Sequence, residues 1–550
     1  MAFDWQAHKA HRRAIVDTQG CYLCILDRDW NPVLDITDII SADLAETAGD
    51  TANLSLMLPG WLPTDSGDQV ANPATDYLLA GGVTDFDDTG ALDQLFNEAV
   101  HILAEVPAAE GQVARRVYRV TGLDPEGGRL YPDTVGVSGV DMIEYLKHIP
   151  LWPDPSNRSK VVQLQFSDRQ KGSVEVVSRK LILRNLLGYF QPSLLGTSLG
   201  WTEDWWSTKK WASVNPEYHP IMCSPIASGL ESEYCVIEAR WDNAWDLLRP
   251  SWEAGGVMPT VDLWLPGDPQ PFPNHTTLAK PTAIIDFKPR STVDGAVGLI
   301  GQAWRSLKRT IGSDSFSSAT EFSDVPIPTA DGRDPWVVYD FEDAPRVSIR
   351  KSTDHTFVVG GKSPKIVNDV VAAGVKTAVA ALVSVVPVIG PPAAEAIKGG
   401  AEIVAKLTAD RFLNINQFTD QQRKAWHGRS GYVALMKTGE ANTYEALQKG
   451  WQAKTETAGG LSLEFDVESW DPYLPHRDFE VGDTIGITAW GRVWAAYVSE
   501  ITWTIKPGEG LAYTIRLGSL DALKDPEALF AQNLEAIEQF ASRISTAVTQ

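Results

Sequence analysis

Basic residues are the first shortage in this chain. Its 550 residues include 48 Lys and Arg against 71 Asp and Glu, a net charge of −23, and no basic run long enough to form a positive stripe. Proteins that hold nucleic acid through its phosphates need such a stripe, because the release of counterions supplies most of the affinity. We therefore expect no sequence-specific nucleic-acid binding, although an acidic surface suits a passage through which DNA slides without adhering.

Cysteine is also scarce, and four residues are too few for a disulfide framework in a chain of this length. Cys21 and Cys24 form a CxxC pair in a segment typical of a strand, where residues three apart point to opposite faces. A four-ligand zinc site would need a second pair, and the spacing of Cys223 and Cys235 is unsuitable. The sequence predicts buried thiols and no bound metal.

The motifs of common enzymes are missing. The sequence contains no HExxH and no GxSxG. Gly360-Gly361-Lys362-Ser363 lacks the first glycine of a phosphate-binding loop, which would fall at Thr356, so we predict a turn there. Asp85-Phe86-Asp87-Asp88-Thr89-Gly90 has the carboxylates of a calcium loop, but the twelfth position of an EF-hand register is Phe96. We expect no catalytic activity and no cofactor.

The N-terminus shows no secretory leader. Residues 1–17 carry basic side chains and the only close histidine pair, His8 and His11, without an apolar core after them. Synthesis in a cytoplasm is the expectation.

No apolar run is long enough for a straight membrane-spanning helix. Residues 377–394 carry no charge, but Pro387, Pro391 and Pro392 divide the run into two shorter helices. The pattern predicts a helical hairpin with an apolar tip. The hairpin is either buried in its own domain or subunit interface, or it meets a partner, which would be a membrane or another assembly protein. Its apolar residues include Val379, Leu382, Val383, Val386, Val388 and Ile389.

The C-terminal part carries the clearest patterns. Ile501, Trp503 and Ile505 alternate with polar residues, and a turn at 506–510 leads into a second alternating segment, which predicts a hairpin. Asp525 then begins a predicted helix. Its apolar seam recurs at spacings of four and three: Phe530, Leu534, Ile537, Ala541, Ile544 and Val548. This helix either lies on its own domain or enters a coiled coil, where bulky seam residues favour higher oligomers, such as a trimer, over a dimer.

Tryptophan is unusually frequent, with 20 copies. Exposed tryptophan stacks on sugars, whereas buried tryptophan fills the cores of broad β-domains and subunit contacts, which is the commoner use. We therefore expect packing, with glycan binding as the alternative.

The chain as a whole predicts an α+β fold that is predominantly antiparallel β, in several domains. Helices are predicted at 91–105, 141–148 and 174–190. The predicted segments are an N-terminal arm (1–19), a β-rich domain with an inserted helix (20–155), a mixed Trp-rich domain (156–286), a β-rich segment with a helix (287–360), a helical hairpin region (361–460), a β-meander (461–520) and a C-terminal helix (521–550).

Three parts of the chain resemble a known family. They are the segments 26–38 with 52–59, 135–146 with 151–153, and 481–485 with 498–502 and 513–518. Together, in this order, they resemble the tail-tip hub proteins, or minor tail proteins, of long-tailed phages that infect actinobacteria.

The resemblance implies a trimeric hub that caps the tail tube, with two barrel-like β-domains per subunit. It implies a location at the virion tail tip and partners among the tail-tube, distal tail, tape-measure and other tail-tip proteins, with transient contact to the host membrane. A structural role in DNA passage is the favoured expectation. A glycan-binding receptor protein and a cell-wall hydrolase are the alternatives.

Overall fold

A computed structural model describes residues 3–64, 66–79, 93, 95–155, 167–192, 211, 213–228, 234–254, 257–289, 337–340, 346–362, 413–419, 421–440, 459–468, 471, 473–489, 492–508 and 510–518. The chain divides into two compact units, Met1–Ser348 with Leu461–Leu523, and Ile349–Gly460 with Lys524–Gln550. The first unit therefore combines sequence from both ends of the chain.

The described helices are α1 (Trp5–Gln19), α2 (Pro73–Leu78), α3 (Val174–Phe190), α4 (Ala244–Ala254) and α5 (Gln421–His427), with 3-10 turns at Ala109–Gly111, Met142–His148, Pro216–Tyr218 and Gly428–Ser430. The described strands are β1 (Tyr22–Leu26), β2 (Pro32–Asp35), β3 (Ser41–Thr47), β4 (Asn53–Pro59), β5 (Trp61–Pro63), β6 (Gln69–Ala71), β7 (His101–Pro107), β8 (Val113–Glu126), β9 (Thr134–Asp141), β10 (Pro150–Leu151), β11 (Asp168–Ser173), β12 (Ile221–Cys223), β13 (Tyr234–Ala239), β14 (Asp242–Asn243), β15 (Val257–Trp264), β16 (Thr282–Pro289), β17 (Val338–Asp340), β18 (Arg346–Arg350), β19 (Asp354–Lys362), β20 (Leu413–Thr419), β21 (Tyr432–Glu440), β22 (Gly460–Glu468), β23 (Thr484–Ala489), β24 (Arg492–Lys506) and β25 (Gly510–Gly518).

One large sheet organises the first unit. Its order is β18-β22-β25-β24-β3-β4-β9-β8-β7-β1-β2, and β23, which also pairs with β17, joins the first half of β24. The strand pairs of this sheet are antiparallel for the most part, and the parallel β17–β23 pair is an exception. The two ends of this order do not pair with each other, so the described strands form no closed barrel. The predominantly antiparallel fold is confirmed, and the expected barrel-like domains are not.

Strands β1 and β7 lie between two hydrophobic cores. Along β1, Tyr22 and Cys24 enter one core while Leu23 and Ile25 enter the other, as the alternation of strand side chains requires. The first core also contains α3, α4, β15 and β16, and the second contains the inner face of β3, β4, β24 and β25. The large sheet is therefore buried on both faces at its β1–β7 end.

Helix α1 covers the β1–β7 end of the sheet. It begins at Asp4, whose carboxylate accepts from the amides of Gln6 at 3.1 Å and Ala7 at 3.0 Å. It ends at Gly20, which has a φ of +79° and donates its amide to Val16. The predicted N-terminal arm thus contains a capped helix that contacts both β1 and β7.

The second unit contains a three-stranded sheet of order β20-β19-β21. β19 is antiparallel to β20 and parallel to β21, and α5 packs on β19. Gly360, Gly361 and Lys362 are the last residues of β19, so the turn predicted for this glycine pair is wrong.

Of the helices predicted at 91–105, 141–148 and 174–190, the first two need correction. The helix predicted for 91–105 is wrong in its last residues, because His101–Pro107 forms β7. Six of its seven residues are buried, and a strand buried on both faces lacks the alternation that distinguishes it from a helix. The helix predicted for 141–148 is a 3-10 turn, Met142–His148, whereas α3 matches its prediction.

The predicted C-terminal hairpin is confirmed as β24 and β25, in which Trp503 pairs with Tyr513. Trp503 is fully buried, and its Nε1 donates to Nε2 of His476 at 3.1 Å. Among the residues that the structure describes, no helix is both long and apolar enough to cross a membrane. The segmental division of the chain stays a prediction.

We predict that Trp503→Phe lowers the free energy of unfolding by about 2 kcal/mol, because it leaves His476 without its donor and opens a small cavity. Urea denaturation followed by far-UV circular dichroism measures the change. Trp241→Phe is the matched control, because Trp241 is 57% exposed, and it should stay within about 0.5 kcal/mol of the parent. Equal stability of the two variants would contradict the role given to Trp503.

Candidate functional site

A buried charge network attaches α1 to the large sheet. We call it the Glu105 network, and its members are Lys9, Arg12, Glu105, Arg115 and Asp268. Glu105 on β7 and Arg115 on β8 are directly paired across the two strands, and Arg115 Nε donates to Glu105 Oε1 at 2.7 Å. Arg12 of α1 donates to the same carboxylate oxygen, and Glu105 and Arg12 are 1% and 2% exposed.

The network extends to the loop after β15. Arg115 Nη1 donates to Asp268 Oδ2 at 2.7 Å, and Lys9 Nζ lies 3.4 Å from Asp268 Oδ1. Burial lowers the pKa of Arg115, but Glu105 and Asp268 outweigh burial and raise it. Burial raises the pKa of Asp268, and Arg115 with the other cations lowers it overall. Both groups are therefore held in their charged forms.

A second polar cluster lies on the neighbouring strands. Arg116 donates to Glu46 on β3 and, at 2.9 Å, to Asp262 on β15. His476 lies 3.5 Å from Glu46, but this contact is not an ion pair. Burial and the nearby Arg116 lower the pKa of His476 to about 3, so its ring is neutral and accepts from Trp503.

A third group lies where α1 covers the sheet edge. We call it the His8 cluster, and its members are His8, His11, Tyr22, Cys24 and Asp35. The Tyr22 hydroxyl donates to Asp35 Oδ1 at 2.5 Å and lies 3.2 Å from His8 Nε2. His11 Nε2 lies 2.7 Å from Asp35 Oδ2. Burial, followed by the charge of Arg12, lowers the pKa of His8 to about 4, so the ring is neutral near pH 7.

One ligand atom from each of His8, Cys24 and Asp35 lies within 4.8 Å of the others. These nitrogen, sulfur and oxygen atoms are the ligand types that zinc accepts. An open cavity of roughly 520 Å³ borders the cluster at His8, His11 and Asp35. Among the residues that the structure describes, His8, Cys24 and Asp35 form the group that could hold a metal ion.

The described thiols are poor nucleophiles. Burial raises the pKa of Cys24 to about 11 and those of Cys21, Cys223 and Cys235 to about 12. A protonated, buried thiol is unreactive. Cys24 lies in the first core and Cys21 packs against the second, which confirms that the CxxC pair points to opposite faces.

The site residues predicted from the sequence lie outside the described residues. They are Val379, Leu382, Val383, Val386, Val388 and Ile389 of the apolar hairpin, and Phe530, Leu534, Ile537, Ile544 and Val548 of the C-terminal helix. The carboxylate-rich stretch 85–90 lies outside them too. These assignments stay predictions.

Sequence reasoning missed the Glu105 network. A signal exists in Arg115 and Arg116, because two adjacent arginines within a strand pattern must find acidic partners or remain exposed. The partners Glu105 and Asp268 could not be chosen from the sequence, since they depend on strand register and on a loop distant in the chain.

Tryptophan serves mainly in packing in the described part. Trp211, Trp252 and Trp503 are fully buried, whereas Trp241 and Trp426 are 57% and 70% exposed. Trp252 Nε1 donates to Ser178 Oγ at 2.8 Å, which satisfies its only polar group inside the core.

A model of the Siphovirus ReqiPepy6 Gp37-like protein family matches residues 108–519. The chain belongs to this family. The part that matches the Gp37-like family includes Arg115, Asp268 and the β24–β25 hairpin. The matched part begins after α1, Glu105 and the His8 cluster. No curated protein sequence matches the chain.

Solved structures similar to the chain come from bacterial genomes and prophages. The 43 kDa tail protein of prophage MuSo2 from Shewanella oneidensis is 10% identical, with a TM-score of 0.41, over 92% of this chain and 100% of that one. A tail protein from Neisseria meningitidis MC58 is 9% identical with a TM-score of 0.38, over 92% and 98%. Prophage tail protein gp18 from Listeria monocytogenes EGD-e is 10% identical with a TM-score of 0.38, over 94% and 99%. TM-scores below 0.5 do not establish a shared role.

We predict that Glu105→Gln lowers the free energy of unfolding by about 3 kcal/mol, because two buried guanidinium groups lose the charge that they share. Chemical denaturation at neutral pH measures the loss. Glu144→Gln serves as the control, since Glu144 forms a partly exposed pair with Lys147 and exposed pairs contribute about 0–1 kcal/mol. A Glu105 variant as stable as the control would show that the network does not hold α1.

Proposed function

We propose that this Gp37-like protein is a structural subunit of the hub at the distal end of a phage tail tube. Three subunits form a ring that links the tube to the tail tip and lets DNA pass during host entry. The host is an actinobacterium, in line with the resemblance of the sequence. The observation that carries the proposal is the position of the three segments on which that resemblance rests.

Those segments are distant in sequence, but parts of all three lie close together in the large sheet. Strand β4 comes from the first, β9 from the second, and β24 and β25 from the third. Strand β3, which lies between the two parts of the first segment, pairs with both β4 and β24 and gives the order β25-β24-β3-β4-β9. The other part of the first segment, 26–38, contains β2 at the far end of the same sheet. The register is continuous: Thr504 pairs with Asp43, Asp43 with Ser55, and Ser55 with Ser138. Most of the resemblance therefore falls on one structural unit, which supports its extension to the role of that unit.

The outer face of this unit is polar and acidic. Asp43, Ser55 and Ser138 are exposed along the row just described, and Thr504 donates to Asp43 at 2.8 Å. On the neighbouring strands, Arg516 lies between Glu464 and Glu500, each at 3.0 Å. Carboxylates outnumber cations on this face, so it would repel DNA, as a conduit requires.

The two segments outside the described residues complete the proposal. In a hub, the apolar hairpin at 377–394 lines the lumen or holds the end of the tape-measure protein, and the C-terminal helix joins subunits around the axis. Both roles rest on the sequence patterns and on the hub resemblance.

The direct test is cryo-electron microscopy of the intact virion. We predict three copies of this chain around the tail axis at the distal end of the tube, with residues 377–394 in the lumen or against the tape-measure protein. A location elsewhere in the particle, or a copy number other than three, would overturn the hub assignment.

The trimer has a separate test in solution. We predict that Leu534→Lys with Ile537→Lys shifts the purified chain from trimer to monomer, because two charges enter the seam of the predicted coiled coil. Gln532→Lys with Gln539→Lys adds the same charge on the opposite side of that helix and should leave the trimer intact. Light scattering coupled to size-exclusion chromatography measures the mass. Equal masses for the two double variants would refute the seam.

A further inference from the structure

We propose that the His8 cluster binds a divalent transition-metal ion of the zinc class through His8, Cys24 and Asp35. The site goes beyond the hub function, and it lies outside the residues that match the Gp37-like family. In the sequence, Cys24 stands out only as half of a CxxC pair with Cys21, and that pair predicts no metal site.

Strand register places two of the ligands together. Cys24 on β1 and Asp35 on β2 are directly paired across the strands, so their side chains share a face. Tyr22 is two residues from Cys24 along β1 and lies on that face as well. Helix α1 covers the same face and supplies His8, with His11 one turn further on. Three separate elements thus deliver nitrogen, sulfur and oxygen to one point.

The distances suit a single ion. Ligand atoms of His8, Cys24 and Asp35 are within 4.8 Å of one another, and zinc–ligand bonds of about 2.0–2.3 Å require only a small inward shift. In the absence of an ion, the Tyr22 hydroxyl bridges His8 and Asp35. An ion would take the place of this bridge, and Cys24 would release its thiol proton to solvent as its sulfur binds.

Two further features suit a metal site. His11 contacts the other carboxylate oxygen of Asp35, Oδ2, at 2.7 Å, which orients the carboxylate in the manner of an outer-sphere partner. The adjacent cavity, lined by His8, His11 and Asp35, provides an entry path and room for a water as the fourth ligand.

The bound ion would join the N-terminal helix to the edge of the sheet. His8 belongs to α1, Cys24 to β1 and Asp35 to β2, which is the last strand in the order of the large sheet. A metal bond across these elements would fix α1 against a sheet edge.

The test uses the full-length chain, purified with a reductant and stripped with EDTA. We expect Zn²⁺ to bind with about one equivalent per chain and to raise the melting temperature. Co²⁺ in place of Zn²⁺ should give a sulfur-to-cobalt charge-transfer band. His8→Gln and Asp35→Asn should each weaken Zn²⁺ binding by at least about tenfold, since loss of an outer-sphere partner alone costs 10–100-fold.

The second cysteine supplies the matched control. Cys21→Ser removes a thiol three residues from Cys24 that packs against the other core, so it should keep the cobalt band, whereas Cys24→Ala should abolish it. His148→Gln, at an exposed position, should bind Zn²⁺ like the parent. The proposal is overturned if the stripped parent takes up no Zn²⁺, if its Co²⁺ complex lacks the sulfur band, or if both ligand variants bind unchanged. The cobalt spectrum of the parent decides the question even where a variant fails to fold.

Discussion

The pairing of β24 with β3 is the constraint on which the first unit depends. It joins residues near the two ends of the chain, with Leu44 directly opposite Trp503. Closing so long a loop costs conformational entropy, although that cost grows only slowly with length. Burial of Leu44 and Trp503 in the same core offsets it. The second core draws residues from both terminal parts of the chain, so it can close only when both parts are present.

The burial of the large sheet differs between the two ends of its strand order. At the β1–β7 end both faces are buried, because alternate residues enter separate cores. At the β25–β9 end one face is buried and the other carries the row of Asp43, Ser55 and Ser138. Among the described strands, this second part of the sheet therefore presents a polar surface. The position in the strand order thus decides which strand residues are exposed.

Local patterns in the sequence predicted local structure well. The β24–β25 hairpin followed from alternation and a glycine-containing turn, and α3 followed from helical spacing, because both patterns arise from residues close in the chain. β7 was misread in part as a helix, since burial on both faces removes the alternation that marks a strand. The joining of β3 to β24 and the open form of the sheet were beyond prediction, because no local pattern specifies which distant strand becomes a neighbour.

The polar clusters show the same limit at the level of single residues. The sequence showed His8 with His11 as a pair and Cys24 as part of a CxxC, but the register of β1 with β2 was needed to add Asp35. The Glu105 network and the His8 cluster also explain how α1 is attached to the sheet. Arg12 and Val16 are the buried residues of α1, and Trp5 and Ile15 pack partly buried against the first core, so polar and apolar contacts both attach the helix. The position of α1 therefore depends on the Arg12–Glu105 ion pair and on the polar contacts around His8 in addition to apolar packing, so the loss of one buried charged partner affects this helix directly.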